Sequence, residues 1–232
     1  MSEPRAIIFD LDDTLYPLRH FVRSGFGAVA DVVAREVGVT RDELVAILRD
    51  ARRWAPGQEL QCLCGHFGLP ASDVERFVNI VRAHWPDIRL PRETVRVLAE
   101  LQPDWRIGVL TNGRADTQRR KAAALGLTEY VDAVIFASEC GDGRGKPDRA
   151  PFVAILDALD VPADRAVFVG DDLDADIFGA SQVGMRAIHV NRDGWRGVSR
   201  TGVRPDARVQ SLGSVPRVAA RLVEGERRVH AA

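Results

Sequence analysis

Lysine is almost missing: of 32 basic residues in this 232-residue chain, only Lys121 and Lys146 are lysine, and the rest are arginine. Arginine's planar fork and lysine's compact point charge are not interchangeable, so a lysine kept in so arginine-rich a chain marks a place where Arg would not fit, Lys146 above all. Cysteine is scarce and odd in number. Cys62, Cys64 and Cys140 offer one C-x-C pair without a second half, which suggests neither a disulfide framework nor a zinc site and fits a reducing compartment. No apolar run approaches about 18 residues, and the opening MSEPRAIIFD lacks the basic and apolar stretches of a signal peptide, so a cytoplasmic protein away from membranes is expected. Charge of one sign is lacking too. With 33 acidic residues and a net charge of -1, no field favours nucleic acid or an anionic bilayer, and the ligand must be sought locally.

What is present is ordinary globular material, 46% hydrophobic and 28% charged. Short continuous apolar runs at 6–9, 107–110, 166–169 and 187–190, with a weaker one at 131–136, have strand length. Being continuous rather than alternating, they suit strands buried on both faces of a parallel sheet. Helical patterns at 92–101, 117–125, 151–159 and 176–183 lie between them, with Pro151 placed as a first helical residue and Gly126 as a stop. Residues 10–106 separate the first two strands, whereas a crossover needs only about a dozen residues, so something is inserted. Helical runs at 21–37, 41–54, 59–67 and 72–85 fill that interval, with a Thr40/Glu43 capping box and stops at Gly38 and Gly68. The expected architecture is a doubly wound parallel α/β core (1–18 and 91–232) with an all-helical insertion (19–90). A surface helix is expected over 217–232.

Chemistry concentrates where the strands end, which is where open parallel sheets bind ligands. The first strand runs into Asp10, Asp12, Asp13 and Thr14. Carboxylates this close repel unless a cation or proton compensates them, and a hard divalent ion with oxygen ligands suits them. The second strand ends in Thr111, Asn112 and Gly113, able to hold an oxyanion. Lys146 follows in GRGKPD, where it can act as a phosphate-binding point charge. The fourth strand gives way to Asp171, Asp172, Asp174 and Asp176. Alone, the Thr-Asn-Gly and GRGKPD segments read as an ordinary turn and a solvated loop, whereas capping explains the two acid clusters poorly; the succession D-x-D-x-T, T-N, K and D-x4-D along one sheet edge leaves the bland reading little room.

In FDLDDTLY, VLTNG, GKPD and GDDLDADIFGA the chain resembles the haloacid dehalogenase-like hydrolase superfamily, over nearly its whole length. The helical insertion is similar to the C1-type cap of the subgroup that includes phosphoglycolate phosphatases and β-phosphoglucomutases, and DLDDTLYP is similar to its pyrimidine nucleotidase-like branch. The resemblance implies a Rossmann-like core and a Mg2+-dependent phosphatase acting through an aspartyl-phosphate. Asp10 would be the nucleophile and Asp12 the acid and base. Thr111, Asn112 and Lys146 would hold the phosphoryl oxygens. Asp10, the Asp12 carbonyl and Asp171 would hold Mg2+, with Asp176 or Asp172 behind them and Asp13 outside the reacting set. The substrate would be a small phosphorylated metabolite such as a phosphosugar, phosphoglycolate or a nucleoside monophosphate, and the chain a monomer or homodimer.

Related chemistries are separated by single residues. The resemblance gives dehalogenases no D-x-D and phosphonoacetaldehyde hydrolases a cap lysine, which 20–90 lacks; a phosphomutase remains the alternative, with His20 near the cap entry. A receiver-like phosphoacceptor or other non-catalytic binding module is the alternative of another class. Receivers, however, place the phosphoacceptor Asp on a later strand and have no helical insertion. The cap is expected to close over the phosphate, with His20, Arg23, Arg52, Arg53, Trp54 and His66 as specificity candidates, though surface charge or packing is each one's commoner role.

Overall fold

The computed structural model describes residues 4–191 and 199–224. Strand β1 (Ala6–Phe9) has no solvent exposure at any position, as its unbroken apolar sequence requires. It pairs in parallel with β2 (Arg106–Thr111) on one side and β4 (Ala166–Gly170) on the other, Ile7 facing both Ile107 and Val167. Beyond them lie β3 (Ala133–Phe136), β5 (Arg186–Val190) and β6 (Ala207–Val209), giving an all-parallel order β3-β2-β1-β4-β5-β6. The chain moves outward from β1 to β3, then crosses back to β4, so the strand order reverses beside the end of β1. That reversal opens a crevice at the carboxyl ends.

Helices α5 (Arg92–Leu101), α6 (Ala115–Ala124), α7 (Arg149–Leu159), α8 (Phe178–Gln182) and α9 (Val215–Glu224) complete this unit. One core brings Ile8, Leu110, Phe152, Ile155, Phe168 and Ile177 together, the Phe152 and Phe168 rings 5.2 Å apart. A Cβ on Gly108 would lie 2.9 Å from Leu159 and 3.0 Å from Ile155, so α7 packs on bare backbone of β2.

The chain divides into Met1–Pro17 with Arg89–Ala232, and Leu18–Ile88. The second unit contains α1 (Leu18–Val37), α2 (Arg41–Trp54), α3 (Glu59–Phe67) and α4 (Asp73–Ala83) around Phe26, Val33, Leu44, Leu48, Leu63 and Phe77. The capping box forms: Glu43 N–H donates to Thr40 Oγ1 at 3.2 Å and Thr40 N–H to Glu43 Oε2 at 2.8 Å. Gly38 and Gly68 follow their helices in the left-handed region, at φ 74° and 65°.

Several expectations need correction. Helix α4 stops at Ala83 rather than Trp85: His84 already leaves helical geometry, at ψ 155°. Pro151 is the third residue of α7, since Asp148 takes the N-cap and accepts from Ala150 N–H at 3.2 Å. The helix expected at 176–183 begins earlier, as a π-type turn over Leu173–Ile177 followed by α8. Strand β6 has three residues, too short for a sequence pattern, and is recruited by pairing with β5. Of the expected terminal helix, α9 runs to Glu224 and 225–232 lie outside the described residues. No helix among the described residues is long and apolar enough to cross a membrane.

Truncating Phe152 to Ala removes a fully buried ring from this core, so chemical denaturation of Phe152→Ala should show a loss of about 3–5 kcal/mol. A loss below about 1 kcal/mol would show that the core collapses around the cavity.

Candidate active site

Asp10 extends β1 by one ladder bond, its N–H donating to Val169 O at 2.9 Å, which delivers its carboxylate to the mouth of the sheet. Across the reversal point, Gly170 ends β4 and is followed by Asp171. A Cβ at Gly170 would run into the Asp176 carboxylate, so only glycine lets Asp176 approach the strand end. The π-type turn swings Asp176 inward to 1% exposure. From the other side comes the loop before α7, held by Asn112: its Oδ1 accepts from Lys146 N–H at 2.7 Å and its Nδ2 donates to Lys146 O at 3.0 Å.

Lys146 thereby enters the crevice, 5% exposed. Its Nζ donates to Asp10 Oδ1 at 2.5 Å, Asp176 Oδ1 at 2.7 Å and Leu110 O at 3.0 Å. Asp10, Asp171 and Asp176 each offer an oxygen within 4.8 Å of the others'. Three carboxylates against one ammonium leave a surplus of negative charge in a buried place. Burial accordingly pushes the Asp10 carboxyl upward against the lowering effect of Lys146, with Asp176 and Asp171 adding repulsion. Asp171 rises to about 7 through burial and then repulsion from Asp176 and Asp13, while a hydrogen bond from Thr14 Oγ1 at 3.3 Å opposes the rise. Burial disfavours the Lys146 ammonium, but Asp10 and Asp176 outweigh it and hold its pKa above the usual lysine range. A proton or a divalent cation compensates such a surplus, and three carboxylate oxygens so close form a group that could hold a metal ion. His189 Nε2–H donates to Asp171 O at 2.9 Å and steadies that residue's backbone.

A second cluster surrounds Asp12. The loop turns through Asp13 at φ 59°, a conformation Asp tolerates, and brings Tyr16 back so that its hydroxyl donates to Asp12 Oδ1 at 2.6 Å. From α6, Lys121 Nζ donates to both Asp12 oxygens at 2.9 and 2.8 Å, and Gln118 Nε2 donates to Oδ2 at 2.9 Å and to Thr111 Oγ1 at 2.5 Å.

Of the residues expected from sequence, Asp10, Lys146, Asp171 and Asp176 therefore meet at one point, while Asp12 and Thr111 are joined through Gln118. Asn112 uses its amide on the Lys146 backbone. Asp172 uses Oδ1 on the N–H groups of Asp174 and Ala175, at 2.8 and 2.9 Å, and its own N–H donates to Asp176 Oδ2 at 3.1 Å. Both Asp176 oxygens are thus engaged. Sequence reasoning missed Tyr16, Gln118 and Lys121. The signal for Lys121 was there, since it is the other lysine and lies one helical turn from Gln118. In the helical unit, Trp54 is 66% exposed and lines, with Asp50, Cys62 and His66, a hollow of about 330 Å³.

The family model for haloacid dehalogenase-like hydrolases matches residues 4–184. The chain is similar to the ribulose-1,5-bisphosphate 5-phosphatase of Halopiger xanaduensis, with 32% identity over 208 residues covering 79% of this chain and 83% of that one. It is 29% identical to the glyceraldehyde 3-phosphate phosphatase of Methanopyrus kandleri, covering 81% and 84%. Among solved structures, the 2-haloacid dehalogenase of Pseudomonas syringae pv. Tomato superposes with a TM-score of 0.63 and 28% identity, covering 94% and 99%.

A carboxyl whose pKa is raised by folding contributes stability that is present below its unfolded value, 3.8, and is lost as pH rises through its folded value, here about 7 for Asp171. Asp171→Asn mimics the protonated form. In chelator, the melting temperature of wild type minus that of Asp171→Asn should fall as pH rises from about 4 to about 7 and then level off. A pH-independent difference would show that Asp171 is not under this strain.

Proposed function

The chain belongs to the haloacid dehalogenase-like hydrolase family, and from that premise we propose that it is a Mg2+-dependent phosphatase of small phosphorylated metabolites, working through an aspartyl-phosphate on Asp10. The observation that carries this reading is the surplus of carboxylate around one buried lysine at the sheet's reversal point. Neither a solvated turn nor helix capping explains Asp10, Asp171 and Asp176 so close together.

In the first half-reaction Asp10 attacks phosphorus, the ester P–O bond breaks, and Asp12 gives the leaving oxygen a proton. In the second, water attacks the phosphorus of the aspartyl-phosphate and gives its proton to Asp12. Inorganic phosphate leaves and Asp10 is regenerated. The Thr111 hydroxyl and the Lys146 ammonium stabilise the phosphoryl oxygens throughout, and Asp176 orients that ammonium. The Asp10 carboxylate, the Asp12 main-chain carbonyl and Asp171 would hold Mg2+. Bound there, the ion screens the repulsion between an anionic nucleophile and an anionic substrate.

Asp12 favours phosphate esters over haloacids. A halide departs without a proton, whereas an alkoxide needs a donor, and Asp12 is a carboxyl two residues from the nucleophile. Among esters, the likeness to phosphatases named for ribulose bisphosphate and glyceraldehyde 3-phosphate favours phosphorylated sugars and their fragments. We assign the choice of substrate to the helical unit, where Trp54 is a large aromatic side chain left 66% exposed.

Phosphate release from a panel of phosphorylated metabolites should require added Mg2+ and disappear on chelation. Asp10→Asn should reduce it to background, and a wild-type rate in that variant, with deamidation excluded by mass spectrometry, overturns the nucleophile assignment. Trp54→Ala should retain turnover but change the ranking of substrates; an unchanged ranking removes Trp54 from specificity.

A further inference from the structure

Lys121 is the second of the chain's two lysines, and nothing in the proposed chemistry uses it. It is 4% exposed, on α6, in a chain that otherwise fills its basic positions with arginine. Burying an ammonium is costly unless it is paired and hydrogen-bonded, and its partner here is the side chain of Asp12, at 2.8 Å. Gln118, three residues earlier on the same helical face, reaches the same carboxylate at 2.9 Å, and Tyr16 closes the third side at 2.6 Å. Together these give Oδ1 a phenol and an ammonium, and Oδ2 an ammonium and an amide. Asp12 itself retains 24% side-chain exposure, and these donors engage both of its oxygens.

Gln118 also links the carboxylate to Thr111 Oγ1 at 2.5 Å. The group that would move the proton and a hydroxyl that would hold the phosphoryl oxygens are therefore registered to one face of one helix. We propose that Lys121, assisted by Gln118 and Tyr16, is a positioning residue that fixes the Asp12 carboxyl where the leaving oxygen, and later the attacking water, must meet it. The inference rests on the acid–base reading of Asp12. Lys121 touches neither substrate nor phosphorus; it acts through Asp12. A one-ångström error in such placement is enough to cost about a hundredfold in rate.

The test uses the full-length enzyme with Mg2+ and two substrates: a sugar phosphate that wild type hydrolyses, and para-nitrophenyl phosphate, whose phenolate leaves without a proton. Single-turnover release of the alcohol or phenol reads the first half-reaction. Lys121→Met should slow sugar-phosphate cleavage by about 10- to 100-fold, a part of the 10²–10⁴ that a placed acid or base supplies. KM should stay within about threefold, the aryl ester should be affected much less, and Lys121→Arg should recover part of the loss. Asp12→Asn/Lys121→Met should be no slower than Asp12→Asn alone, since Lys121 would have nothing left to position. Losses that multiply in the double variant, or equal losses on both substrates, overturn the proposal. If Lys121→Met does not fold, Tyr16→Phe removes one hydroxyl and should show the same dependence on leaving group; equal losses there also overturn it. A wild-type rate in Asp12→Asn instead overturns the acid–base reading beneath it, a result distinguishable from the others.

Discussion

A single buried ammonium organises the crevice. Lys146 Nζ stands between Asp10 and Asp176 and also donates to Leu110 O, so three chain segments distant in sequence are tied to one charge. A buried ion pair of this kind is weak support for stability, because desolvation consumes most of the attraction, yet removing one partner strands the others at a cost of about 3–5 kcal/mol. The surroundings are shaped to tolerate it: glycine at 170 admits the Asp176 carboxylate, and Asn112 clamps the backbone that carries Lys146. Even so the balance stays negative, and this uncompensated charge, more than any single residue, is what the proposed divalent ion would offset.

A second lysine pairs with a second carboxylate two residues along the loop. Asp10 is held by Lys146 in a deeply buried setting, and Asp12 by Lys121 in a partly open one. The two carboxylates are neighbours on one loop but answer to different cations, Lys146 from the loop before α7 and Lys121 from α6. Such separation of environments suits the roles proposed for them, one as nucleophile and the other as proton carrier.

Much of the fold was legible because burial on both faces leaves an unmistakable run of apolar residues. AIIF forms β1 over its whole length, and AVFV is β4 without its final glycine. β6 left no such trace: a three-residue strand at the sheet's far edge is formed by its neighbour, not by its own composition. The start of the π-type turn was hidden for a similar reason. Asp172 looks like one more acid in an acidic cluster until its side chain is seen accepting from Asp174 and Ala175.

Sequence alone determined that acids, a hydroxyl and a lysine stand at successive strand ends, because hydrophobic patterning fixes where each strand stops and which residue comes next. It could not determine which of those groups touch. That Asn112 serves the Lys146 backbone, that Asp176 pairs with Lys146, and that Lys121 reaches across to Asp12 are outcomes of how α6, the loop before α7 and the π-type turn pack against the sheet. Side-chain partnership depends on distances between segments remote along the chain, and only the folded arrangement of those segments sets them.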